Sequence, residues 1–272
     1  TNKLAITAPT NYDPAQYDLL ARYIQAKVAQ GSTPALSSLI TISSMPNGKT
    51  DINNSGPLST DFVGESAGYV EADFATRQQM WLAHQRYMQG FLYFLGTDIR
   101  LPSSLRNSTL SYGYCKDEFT DNGGWPYELY VREGRRMISD YVMTQSNVFN
   151  QLVVPDSIGM AGYFTDSHYL QRVVVNGVVR NEGDARGDIT EPYPISYRAI
   201  VPKESECNNL IVPWSLSASH TAFSSIRMEP VFMILGQASG TAACIAIDEN
   251  TAVQTLNIHK LQAQLKADGQ VL

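Results

Sequence analysis

The stretch Asn209–Ile247, NLIVPWSLSASHTAFSSIRMEPVFMILGQASGTAACIAI, holds the densest set of residues able to do chemistry. A short apolar run leads to a small-residue turn with His220, then to Arg227, then to a Gly- and Ala-rich helix. A helix start carries unpaired N–H groups and the positive end of the dipole, which suits an anion or a polar carbonyl edge. Gly236, Ala238, Gly240, Ala242 and Ala243 recur at close helical spacing. Such residues predict that a sheet or another helix approaches them closely. The plainer reading is a buried helix with a tight crossing.

A second polar set lies in residues 43–69, SSMPNGKTDINNSGPLSTDFVGESAGY. Pro, Gly, Asn, Ser and Asp dominate, which predicts a long loop. Loops of this length are functional or disordered, and the Met, Ile, Leu and Phe anchors favour an ordered one. Asp51, Asn53, Asn54 and Asp61 offer hydrogen bonds to a sugar or another hydroxylated ligand; ordinary loop capping is the competing reading. Cys115, Cys207 and Cys244 are too scattered for a disulfide framework or a CxxC site, and Cys244 reads as a buried thiol. His84, His168, His220 and His259 form no HxH or HxxxH pair, which argues against zinc; no metal is expected.

These groups need elements to position them. A helix is expected from Asp13 to about Gln30, with Asp13 as N-cap, Pro14 at its first turn, Gln16 closing a capping box and Gly31 as stop. Residues 32–41 suit a strand. A long helix follows from about Glu71 to Gly96, its apolar stripe broadening toward a buried C-terminal end. A further helix is predicted from Trp125-Pro126 to about Thr144, with Tyr130, Met137, Ile138, Tyr141 and Val142 inside. Its Arg132, Arg135 and Arg136 then form a solvated face. Asn176-Gly177 between valines marks a hairpin, and Leu210–Val212 a brief buried strand. Helices over about Met228–Ile247 and Asn257–Ala267 complete the chain.

The chain has 272 residues, 43% of them apolar, and a formal charge of −6. That balance excludes a protein whose main task is gripping phosphate backbones. No uninterrupted apolar run reaches the ~20 residues that span a bilayer, and the first residues do not read as a signal peptide. Aromatic residues make up 10%, which excludes a disordered chain. A soluble, mildly acidic globular protein of open compartment is expected.

The segment SASHTAFSSIRMEPVFMILGQASGTAACIA resembles the C-terminal flavin-binding signature of the FAD-dependent oxidoreductases. TISSMPNGKTDINNSGPLSTDF, KDEFTDNGGWPYELYVREGRRMISDYVMTQ, DSIGMAGYFTDSHYLQRVV and PYPISYRAIVPK resemble the same bacterial subfamily, in the same order. Some of its members carry the label xanthan lyase. The resemblance runs from about Tyr12 to Leu272. Two departures stand out. The GxGxxG strand–loop–helix that grips the ADP part of FAD in this family is absent from these residues. Pro213-Trp214 also stands where relatives often have a glycine and an arginine. The chain is therefore expected to be the C-terminal part of a longer flavoprotein, truncated relative to it and inactive alone. Its partner would be an N-terminal FAD-binding half.

The resemblance implies site roles. Backbone N–H groups near Met228 and Glu229 face the flavin pyrimidine edge, with Ser217, Ser219 and His220 lining the preceding turn. Arg227 holds a substrate carboxylate or the flavin edge, or else a structural carboxylate. His168 is the first choice for the base that takes a proton from the substrate, with Asp166 to orient it, since its ordinary pKa suits that task. Tyr197 is expected to reach the same site.

The expected fold is α+β. A mixed-sheet, substrate-type domain with long helices spans residues 1–205, and residues 206–272 form a strand–helix piece of a dinucleotide-binding domain. Exposed apolar surface is expected around 209–247, where the other half would dock and where copies could self-associate. The expected function is hydride transfer from a polar, carbohydrate-derived substrate to FAD. The alternative is a polysaccharide lyase that β-eliminates beside a uronic acid, for which the small-residue helix has no use. Neither nucleic acid nor membrane is an expected partner.

Overall fold

The computed structural model describes residues 3–272. In chain order its elements are β1 (Lys3–Leu4), α1 (Asp18–Ala29), β2 (Ile40–Met45), β3 (Lys49–Asn54), α2 (Phe74–Thr97), α3 (Ser103–Leu110), β4 (Tyr114–Cys115), α4 (Gln145–Val148), β5 (Ser157–Ala161), β6 (Gln171–Val175), β7 (Val178–Glu182), β8 (Tyr193–Ser196), α5 (His220–Ile226), α6 (Glu229–Asp248) and α7 (Ile258–Ala267). The strands pair antiparallel as β1–β4, β2–β3, β5–β8 and β6–β7. The fold is α+β.

The chain divides into two compact units, but not at residue 205. One comprises the residues up to Tyr130 with Tyr169–Glu182, the other Val131–His168 with Gly183–Leu272. The hairpin β6–β7 belongs to the first because Arg172 and Asn181 both donate to the Pro57 carbonyl, at 3.1 and 2.8 Å.

In the first unit Asp13 accepts from the Ala15 N–H, Pro14 opens a 3₁₀ turn that runs into α1, and Gly31 follows at φ +79°. Asp73 caps α2 through the Thr76 N–H. Phe91, Phe94 and Leu95 at the C-terminal end of α2 are fully buried among Tyr17, Leu20, Ile24 and Leu39. Gly90 permits this packing, since a Cβ there would overlap the Tyr17 hydroxyl. Residues 43–54, expected in a loop, are instead mostly strand. Asn47 and Gly48 take φ of 63° and 70° and turn β2 into β3, so that Ile42 faces Ile52. The polar residues outside that pair had masked the alternation. The rest of the loop is anchored by the Ser59 hydroxyl on the Leu39 carbonyl and by Phe62 stacked on Tyr87 at 4.3 Å.

In the second unit the helix expected over 125–144 does not form. Met137 and Met143 donate their N–H groups to the Ser215 and Ser217 carbonyls, and Ser219 donates back to Met143. Pairing with a distant extended segment thus replaces the local helical bonds, and Ile138, expected inside, is 72% exposed. Leu210–Val212 is not a strand either, and Leu210 is exposed. β5, paired with β8, packs against α6 and α7, with Ile158, Ile195, Leu235, Ala238, Ala242, Leu261 and Leu265 in the core.

The close approach to α6 comes from the opposite partner to the one expected. A Cβ on Gly159 of β5 would overlap the Ile234 methyl, whereas nothing lies within 4 Å of a Cβ placed on Gly236 or Gly240. Those glycines share an exposed stripe with Met233, Cys244 and Ile247, so Cys244 is an exposed thiol, not a buried one. By length and composition α6 is apolar enough to cross a membrane, against the sequence expectation, but its other face packs into the core of the second unit.

Candidate functional site

The turn before α6 is built by its serines. The Ser217 hydroxyl accepts from the Ser139 N–H at 3.1 Å, while its backbone N–H and carbonyl pair with Ala199 and Met143. Ser219 caps α5 by accepting from the Ala222 N–H. Both side chains, expected at a cofactor, are engaged in holding the turn.

His220, the first residue of α5, is held from two sides. Its Nδ1 lies 2.8 Å from Glu133 Oε2 and its Nε2 lies 3.3 Å from the Gly183 carbonyl. Arg136 donates from Nη1 to the same Glu133 oxygen at 2.9 Å and from Nε to the Ala218 carbonyl, with its guanidinium over the Phe223 ring. Arg136 is therefore part of the site and not of a solvated helix face. Sequence reading missed Glu133 and Arg136 as functional candidates. The signal available was their i,i+3 spacing, which forms an ion pair here without a helix.

Arg227 closes α5 with only 5% of its surface exposed. Its Nε and Nη2 donate to the Asp166 carbonyl at 3.2 and 2.6 Å, and the Asp166 carboxylate stands 3.6 Å from Nη2. The Asp166 N–H donates to the Ser224 carbonyl. Arg227 thus fastens the segment that carries half-buried His168, and the Asp166 carboxylate faces this arginine. Tyr197 is buried and its hydroxyl donates to the Val253 carbonyl at 2.7 Å, with burial pushing its pKa up. That bond explains its place without a reacting partner.

The start of α6 has no side-chain cap at Met228. Pro230 has no N–H, and the N–H groups of Val231 and Phe232 both reach the Met228 carbonyl, at 2.9 and 3.2 Å. Met228 is the N-cap residue and Glu229 the first residue of this helix, the two positions expected at a ligand.

The other polar set lies in the first unit. Asp51 and Asn53 are exposed on β3. Asn54 turns the other way and donates from Nδ2 to Asp61 Oδ2 at 2.8 Å. Of the four, the structure joins Asn54 and Asp61, and Asp61 lines a cavity of about 120 Å³.

A sequence model of the family described as FAD dependent oxidoreductase matches residues 1–265. The chain belongs to the FAD-dependent oxidoreductase family. No curated protein and no solved structure matches it. The residues present fit one end of FAD. An uncapped helix start at Met228–Glu229 suits the polar edge of the isoalloxazine ring. No two glycines of the sequence stand in a GxG arrangement.

Proposed function

We propose that this chain carries the flavin-ring end of an oxidoreductase that moves hydride from a polar, carbohydrate-derived substrate to FAD. The observation that supports this reading is the start of α6, without a side-chain cap and set directly after α5, which begins at His220 and is closed by Arg227. Bound FAD supplies the hydride acceptor, and a helix N-terminus favours the negative charge that its pyrimidine edge gains on reduction. The start of α6 at Met228 and Glu229 would hold that edge. Arg227 positions the segment 165–168 through the Asp166 carbonyl, and His168 takes the proton from the substrate. His220 keeps the turn in place through Glu133. A glycine-rich segment outside these 272 residues holds the ADP half and docks on the exposed stripe of α6.

The test is an absorption spectrum. The full-length gene product should be yellow, with bands near ~370 and ~450 nm from bound isoalloxazine. This chain alone should take up no FAD, since each hydrogen bond at the helix start contributes only ~0.5–1.5 kcal/mol net. A colourless full-length protein that raises absorbance near ~235 nm on a uronate polymer would replace this reading with the lyase, whose Tyr or His base carries the elimination.

A further inference from the structure

The first unit holds a cavity that plays no part in the flavin reading. Its volume is about 120 Å³. A closed apolar cavity of ~150 Å³ accepts a benzene ring; this one is somewhat smaller and its lining is partly polar, which suits a ring that carries a polar group. Leu20, Leu58, Phe62, Tyr87 and Phe91 supply apolar wall, and Phe62 and Tyr87 stack within 7° of parallel. Arg172 of β6 supplies the cation. Its described bonds leave from Nε, to Asn181 Oδ1 at 2.9 Å, and from Nη2, to the Pro57 carbonyl at 3.1 Å. These fix the guanidinium plane while Nη1 keeps donors in reserve.

Asp61 stands in the same wall and is engaged by Asn54. Its charge and that of Arg172 both act on the Tyr87 hydroxyl, whose pKa burial pushes up to about 12. A carboxylate beside a single arginine disfavours a dianion such as phosphate and admits a monoanion. The Tyr87 hydroxyl donates to the Ser59 carbonyl at 2.7 Å, so it braces the wall and does not compete for the ligand.

We propose that this cavity binds a six-membered ring bearing one carboxylate, with the ring against the Phe62–Tyr87 pair and the carboxylate on Arg172. The inference stands on the first unit alone. Two sources share that chemistry, an aromatic acid and a sugar acid.

Calorimetric titration with benzoate and with D-glucuronate tests it and separates the sources, with glucose as the uncharged ring and phosphate as the dianion. At least one of the two acids should bind, and glucose and phosphate at least about tenfold more weakly. Arg172→Gln and Phe62→Leu should each weaken the acid by about tenfold or more, and Arg172→Lys by less. Because Arg172 also braces β6, the melting temperature of each variant is measured first. Amide shifts of the unaltered chain on adding the acid give a readout independent of the variants, and they should fall on residues 58–63 and 87–91. Binding of neither acid, binding indifferent to Arg172→Gln and Phe62→Leu, or shifts confined elsewhere would overturn the proposal. Failure of FAD uptake by the full-length protein leaves these titrations unaffected.

Discussion

His220 Nδ1 sits 2.8 Å from Oε2 of Glu133, a residue 87 positions earlier, and that same oxygen receives Arg136. One carboxylate therefore ties the first turn of α5 to an extended segment that has no secondary structure of its own. The His220 and Glu133 side chains are 32% and 22% exposed, so solvent screens part of the attraction. Glu133→Ala should destabilise the chain by about 1 kcal/mol, read from urea unfolding. His220→Ala should cost a similar amount. The double variant should fall short of their sum by roughly 0.5 kcal/mol or more, the signature of contacting residues. Strict additivity would mean that the pair does not hold the turn.

Asp156 gives a pH dependence. Burial raises its pKa, but the Arg198 guanidinium, the Ser196 hydroxyl and the Arg198 N–H together outweigh burial and hold it below the usual carboxylate range. A carboxyl with a depressed folded-state pKa binds its proton more readily when unfolded. Its contribution is thus complete above the unfolded value of ~3.9 and disappears as pH falls through the lower folded value. Urea midpoints measured downward from pH 6 should decline below about pH 4, and Asp156→Asn should flatten that decline. The variant should also lose about 1–2 kcal/mol at pH 6, discounted because the Arg198 side chain is 48% exposed. An unchanged acid limb in Asp156→Asn would assign the pH dependence to other carboxylates.

Much of the helical framework was legible because its signals are local. Asp13, Asp73 and Asn257 each cap the helix they precede, and Asn176-Gly177 turns β6 into β7. Asn47-Gly48 carried the same turn signal, but strands as polar as ITISSM and KTDINN concealed it. The segment 125–144 was misread for a different reason. Its helical periodicity is real, but its N–H groups find partners in residues 215–217, a pairing that no local window contains. The same distance hid Glu133 as the partner of His220. Arg227 was recognised as a candidate, yet its commitment to a backbone carbonyl could not be read from residue types.

The two readings of Tyr197 and His168 separate in kinetics. Tyr197→Phe leaves the Val253 carbonyl without its donor inside the core. It should cost about 1–2 kcal/mol of stability while turnover of the full-length protein stays unchanged. His168→Gln should slow flavin reduction by about 10²–10⁴-fold, the usual contribution of a positioned base. A slow Tyr197→Phe enzyme would return the phenol to the reacting groups, and a fast His168→Gln enzyme would remove the histidine from them.

The glycines of α6 and β5 give the last prediction, because the two sets answer opposite questions. Gly159 meets Ile234 so closely that an added methyl has no room. Gly159→Ala should therefore destabilise the chain by about 1–3 kcal/mol through overpacking. Ile234→Ala in the same chain should recover part of that loss by removing the obstructing methyl. Gly236 and Gly240 have nothing within 4 Å and lie inside a helix. Alanine at either should stabilise this chain by about 0.5–1 kcal/mol, the ordinary difference in helix propensity. If the exposed stripe receives the FAD-binding segment in the full-length protein, the same substitutions should there lower FAD retention, because a docked backbone would meet the new methyls. Stabilisation of this chain together with unchanged retention in the full-length protein would separate α6 from the docking surface. Destabilisation of the chain itself would contradict the open space seen beside both glycines.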